Sequence, residues 1–311
     1  MSKKENIKEQ TDVCEKVNEE SIVKGNNSAT VKDKTWGDIF PNTEVIAFNG
    51  PIVESVIDKW IATIKNNRSA DLEDASVIFC TCGGNPDIAF RMSRFLQNSF
   101  KKIHAYVLGE CYSAGTLFCL GANKIFMTDN AQLGPLDIQI WREDEMSRMS
   151  GECYRQALTY LGLHAANTFR DLFSQLRMSN RALPISTATA SRVASEIVVG
   201  LLSPITAQIE PIKLGEVLRM QSIGYAYGKR LMKDKYDPRN IETILTMLTS
   251  SYPSHSTVID YREAKSLGLW TELWDLKSLN DDARIYLEQL YNTQQSEANI
   301  DILTYKNLQK C

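Results

Sequence analysis

The sequence predicts an α/β protein built on a parallel sheet, and three observations predict it. Short, apolar, β-branched runs alternate with amphipathic helical stretches from residue 44 to about 127. Each run closes on turn residues, and the spacing between runs leaves room for a helix, as βαβ units require. From about 143 to 250 the apolar periodicity is helical, so the sheet carries a helical extension.

Taken in order, residues 1–35 are rich in Lys, Glu, Asn and Ser and lack apolar periodicity, so a disordered polar tail is expected there, with structure beginning near Trp36. Residues 44–48 (EVIAF) read as the first strand, closed by Asn49-Gly50-Pro51. Residues 52–67 carry Ile52, Val53, Val56, Ile57, Trp60, Ile61 and Ile64 at helical spacing. Residues 75–80 (ASVIFC) form a strand of the fully buried type, followed by the loop TCGGNP and an amphipathic helix over 87–98. Residues 103–108 are a strand, 113–122 a helix and 124–127 a strand. Further on, 197–202 and 214–231 are the clearest apolar helical stretches. Residues 258–260 lead into a short helix over 261–267 that Gly268 stops, and the last helix falls near 281–294.

Composition narrows the function classes. The net charge of −3 supplies no basic field for nucleic acid. No apolar run approaches the roughly 20 residues that span a bilayer. The first residues, MSKKENIKEQ, lack the apolar core of a secretory signal. The seven cysteines (Cys14, Cys80, Cys82, Cys111, Cys119, Cys153 and Cys311) are odd in number and read as free thiols of a reducing compartment. The cytoplasm is therefore expected. Cys80-Thr81-Cys82 is not a zinc spacing, so neither a metal nor a cofactor is expected.

Two loops at the carboxyl ends of expected parallel strands could form one site, where open α/β sheets place theirs. In Thr81-Cys82-Gly83-Gly84-Asn85-Pro86, paired glycines would let backbone N–H groups face a cavity, although a tight turn would use them equally well. In the second loop, residues 109–115 (GECYSAG), Ser113 stands at a helix start with the Ala114 amide next in line. Acyl transfer needs such a hydroxyl, a base and two oxyanion donors. A plain N-cap needs only the hydroxyl. Cys111 is a second nucleophile candidate, with a buried-thiol reading beside it.

The ordered segments VIFCTCGGNPDIAFRMSRFL, HAYVLGECYSAGTLFCLGANKIFM, AQLGPLDIQI, EPIKLGEVLRMQSIGYAYGKRL and YPSHSTVIDYREAKSLGL resemble the ClpP/crotonase superfamily. Within it they are most similar to the serine dehydrogenase proteinase family, relatives of the signal peptide peptidase SppA. The resemblance covers about 44–270. It implies a ClpP/crotonase-like spiral of β-β-α units with a helical extension, in a peptidase domain over 36–275 followed by a C-terminal helical segment over 276–311. It further implies a homo-oligomer acting on peptides or unfolded segments, with peripheral membrane association left open. Ser113 would be the nucleophile, and the backbone of Gly83, Gly84 and Ala114 the oxyanion hole. Cys82 stands where the family usually has proline, and residues 136–138 read Leu-Asp-Ile for Ile-Asp-Pro.

For the base, His255 lies in a loop that this fold returns to the serine, with Asp137 as its orienting carboxylate or as a structural tie. A lysine in the helical half (Lys213, Lys229 or Lys233) is the alternative, as in the Ser–Lys dyad of SppA relatives. His104 reads as a strand residue and His164 as a packed helical one. A crotonase-like acyl-CoA enzyme, with Glu110 as its nearest carboxylate, and a non-catalytic scaffold are the competing readings.

Overall fold

The computed structural model describes residues 40–136, 139–142, 147–178, 185–279, 281–292 and 299–301. All belong to one compact unit, Lys34–Cys311. The polar stretch 1–35, Trp36 and Asp137 lie outside the described residues.

The first half alternates as its sequence requires. β1 (Thr43–Asn49) leads to α1 (Glu54–Asn67), β2 (Asp74–Thr81) to α2 (Pro86–Ser99), and β3 (Lys102–Cys111) to α3 (Ala114–Cys119) and β4 (Lys124–Met127). β1, β2, β3 and β4 pair in parallel as neighbours in that order. A short β5 (Gln132–Leu133) pairs with the end of β3. Two later strands, β8 (Thr271–Leu273) and β9 (Asn299–Asp301), complete the main sheet, which among the described residues has seven strands in the order β8-β4-β3-β2-β1-β9, with β5 beside β3. The expected mixed α/β architecture with a parallel sheet is the one observed.

The sheet is buried on both faces, which explains why its strands read as continuous apolar runs. One face sends Ile46, Phe48, Val77, Phe79, Ala105 and Val107 into the larger core with α1, α2 and α3. There Phe48 stacks on Phe79 at 4.7 Å and Phe79 on Phe118 at 4.1 Å, with Trp60 edge-on to Phe48. The other face sends Val45, Ala47, Ile78, Tyr106 and Leu108 against Phe40, Trp274 and the last helix.

The second half departs from the expectation at its start. Residues 139–142 and 147–150 form a two-stranded antiparallel ribbon, β6 (Gln139–Arg142) and β7 (Ser147–Ser150), where helix was expected from 143. Strands this short carry too few alternations to register as a pattern. Helices follow: α4 (Gly151–Met178), α5 (Thr187–Thr206), α6 (Pro211–Met232), α7 (Pro238–Ser250) and α8 (Tyr261–Ser266). Asp260 caps α8 through Glu263 N–H, and Gly268 at φ +90° ends it. β8 (Thr271–Leu273) then joins the sheet beside β4. The last helix, α9 (Asp281–Asn292), buries Ala283, Leu287 and Leu290 in the second core cluster. β9 (Asn299–Asp301) pairs antiparallel with β1. Within the C-terminal segment, α9 and β9 are thus packed onto the sheet.

Candidate active site

The site end of the sheet is shaped by an irregularity in β3. Phe79 pairs with Val107, but Thr81 pairs with Cys111, so β3 carries two extra residues between these pairs. Such a bulge re-aims the end of a strand. Beyond it, Cys111 pairs with Leu133 of β5, and Leu133 exchanges backbone hydrogen bonds with Ile259. Three segments far apart in sequence are thereby laid side by side next to Ser113.

The glycine loop is held from its other side. Ile52, expected as helical, instead bridges Gly84 in parallel: Ile52 N–H donates to Gly83 O at 2.9 Å and Asn85 N–H donates to Ile52 O at 2.8 Å. This bonding turns the N–H of Gly84 away from Ile52, toward the β3 side of the sheet. Gly84 has φ +142°, and a Cβ there would lie 2.1 Å from Ile52 O, so only glycine fits. Asn85 then caps α2, accepting from Asp87 N–H, with Pro86 in the first turn.

The two loops meet. A Cβ on Gly83 would lie 2.8 Å from Tyr112 O and 3.4 Å from the Cβ of Ser113, and Thr81 O accepts from Tyr112 N–H at 3.1 Å. Gly134 of the Leu-Gly-Pro turn presses on the same backbone, its Cβ position 3.3 Å from Ser113 N. Thr116 clasps these parts: its hydroxyl lies 3.0 Å from Cys111 O and 2.8 Å from Gly134 O, and accepts from Gly134 N–H.

Ser113 itself is strained. It has φ +50° and ψ −106°, and only one other non-glycine residue, Asn42, has positive φ among those described. Such a conformation costs on the order of 1–3 kcal/mol and persists where packing imposes it. Ser113 stands at the N-cap position, yet its side chain makes no capping hydrogen bond. Capping therefore does not explain this serine. Gly83 N–H is engaged by the Thr81 hydroxyl at 3.1 Å. The N–H groups of Gly84 and Ala114 have no acceptor among the described residues. The result is a half-buried hydroxyl on a strained turn, beside two open backbone donors.

The other nucleophile candidate is less suited. Burial holds the Cys111 thiol well above its ordinary range, and it packs 3.6 Å from the Cys119 sulfur. Burial likewise pushes Cys80 up to about 12. A protonated, enclosed thiol is a poor nucleophile. Cys80, Cys82, Cys111 and Cys119 form no disulfide.

The base candidates separate by position. His255 is half-buried in the loop that leads to Ile259, the residue bridged to Leu133. His104 sits near the start of β3, seven residues before the site end, edge-on to Phe126, with its basicity lowered by burial. His164 is exposed on α4, stacked on Tyr160. Lys229 and Lys233 are exposed, and the side chain of Lys213 is outside the described residues. Lys235, which the sequence did not single out, is the lysine that burial, with Arg94 nearby, pulls down to about 7. Its ammonium donates to Gly121 O, beyond the carboxyl end of α3, whereas Ser113 precedes the amino end. Glu110 is half-buried in β3, in register with Gln132. A shallow cavity bordered by Arg68, Glu73 and Lys101 lies at the amino ends of β2 and β3, opposite the serine loop.

No protein-family model matches the chain, and no curated protein matches it. Among solved structures it is similar to a serine-to-alanine mutant of the "1510-N membrane-bound stomatin-specific protease", at 16% identity over 49% of this chain and 75% of that chain, with a TM-score of 0.31. It is also similar to a lysine-to-alanine mutant of that protease in complex with a substrate peptide, at 17% identity over 49% and 71% of the two chains, again with a TM-score of 0.31. Among the described residues, no helix is long and apolar enough to cross a membrane.

Proposed function

We propose that the chain is a serine peptidase of the serine dehydrogenase proteinase type, cleaving peptides or unfolded protein segments. The observation that carries this reading is the conformation of Ser113: a non-glycine residue at φ +50° whose hydroxyl caps nothing, next to the open amides of Gly84 and Ala114. The ordered motif resemblance from 44 to 270 supports it.

In this reading the Ser113 oxygen attacks the scissile carbonyl carbon, and its proton passes to the base. Gly84 and Ala114 N–H groups hold the oxyanion, while Gly83 keeps the loop in place. The amine leaves with the proton, and water releases the acyl group. His255 is the proposed base, since its loop is tethered through Ile259 to the strand beside Cys111. Asp137 is its proposed orienting carboxylate. Lys213 is the lysine that stays in competition, because Lys229 and Lys233 are exposed and Lys235 stands at the wrong end of α3. The pH profile of the reaction distinguishes the two bases, as does His255→Gln: loss of activity assigns the histidine, and retention assigns the lysine.

A cytoplasmic homo-oligomer completes the proposal. α4, α5 and α6 expose Tyr160, Leu163, Val199, Leu201 and Ile212, an apolar surface suited to the roughly 800 Å² per partner of a standard interface. Sedimentation of the purified chain tests it, with a monomer at micromolar concentration counting against it.

A fluorophosphonate probe followed by peptide mapping tests the catalytic reading. One adduct on Ser113 is expected, absent from Ser113→Ala. Labelling that survives that substitution would remove Ser113 from the mechanism.

A further inference from the structure

Building on that reading of Ser113, we infer that Thr81 is a positioning residue that selects which glycine amide meets the oxyanion. Both glycines of the loop carry an N–H, and the sequence alone does not separate them. Gly83 is buried and Gly84 is exposed. The Thr81 hydroxyl accepts from Gly83 N–H at 3.1 Å and lies 3.4 Å from Gly83 O. The carbonyl of Gly83 also accepts from Ile52 N–H. Every polar group of Gly83 is therefore occupied, and the next amide along, Gly84, is the one left open.

Thr81 also ties this choice to the nucleophile. It is 1% exposed, and its carbonyl accepts from Tyr112 N–H, the residue before Ser113. Its methyl packs where a Cβ on Gly115 would come within 2.5 Å. One side chain thus fixes the glycine loop, while its backbone and methyl fix the serine turn. It touches no reacting atom. Removing the hydroxyl alone would leave Gly83 N–H as a buried donor without a partner, and would take one of two contacts from the Gly83 carbonyl, which shares its peptide plane with Gly84 N–H. Small displacements of an oxyanion donor act on the transition state more than on binding.

The test is the saturation kinetics of a fluorophosphonate, in which the serine oxygen–phosphorus bond forms and fluoride leaves as the base takes the serine proton. Thr81→Val keeps the shape and deletes the hydroxyl; Thr81→Ser keeps the hydroxyl and deletes the methyl. The expected result is a maximal phosphonylation rate about tenfold lower in Thr81→Val at unchanged half-saturation, with Thr81→Ser within about twofold of the wild type. Thr81→Val reacting at the wild-type rate would overturn the inference, as would Thr81→Ser losing as much as Thr81→Val. Should Thr81→Val not melt cooperatively, Thr81→Ala against Thr81→Ser isolates the hydroxyl: a slow alanine variant supports the inference and equal rates overturn it. A wild-type protein that takes no adduct on Ser113 would instead fail the catalytic reading itself, and Thr81 would lose its role with it.

Discussion

Glycines behave oppositely in two regions of this molecule. At the sheet end, a Cβ on Gly83, Gly84 or Gly115 would run into a neighbouring loop at 2.1–2.8 Å. Along the helical arm of α4, α5 and α6, a Cβ on Gly162, Gly200 or Gly215 would meet nothing within 4 Å. The first set exists because three loops close on Ser113 with no room to spare. The second set costs helix stability without an intramolecular return, and it lies among exposed apolar residues such as Val199 and Ile212. Close packing in the first region serves geometry within the chain; the open second region is the surface that the proposed homo-oligomer would use.

The strongest way to break this contrast is at the serine. Ser113→Ala is expected to lower turnover by several orders of magnitude while leaving the melting temperature unchanged or raised, since alanine deletes the hydroxyl alone. Activity and thermal melts on one preparation check both halves. Gly84→Ala comes next. The added methyl would displace the loop from Ile52, and loss of one oxyanion donor costs about 10²–10³ in rate. A phosphonylation rate near wild type would remove Gly84 from the site.

Stability probes the same contrast. Phe79→Ala empties the centre of the Phe48–Phe79–Phe118 stack and is expected to cost about 3–5 kcal/mol in denaturant melts. Lys235 gives a pH signature. Its folded value lies near 7, below that of the unfolded chain, so the unfolded state binds more protons between about 7 and 10. Stability should rise with pH across that window, and Lys235→Met should flatten the rise. The smallest effect is in the arm: Gly200→Ala should stabilise the monomer by up to about 1 kcal/mol. If the arm packs against a second copy, the same methyl should weaken association.

The sequence made the sheet legible where burial is two-sided, because EVIAF, ASVIFC and the 103–108 run are short, apolar and rich in β-branched or aromatic residues. It hid β5–β9, which are two to four residues long and owe their pairing to neighbours. It also hid Ile52, whose apolar spacing reads as helix although its backbone bridges Gly84. The serine and glycine loops were readable from residue type and order. Which of the two glycine amides is engaged within the loop was not, because it depends on where the Thr81 hydroxyl points. The positive φ of Ser113 was equally invisible, since no residue type announces it.

The most direct measurement of the central claim is a crystal structure of the phosphonylated protein. Phosphorus bonded to Ser113 is expected, with its oxygen about 2.7–3.1 Å from both Gly84 N and Ala114 N. A phosphonyl oxygen turned to solvent, or bound to neither amide, would contradict it.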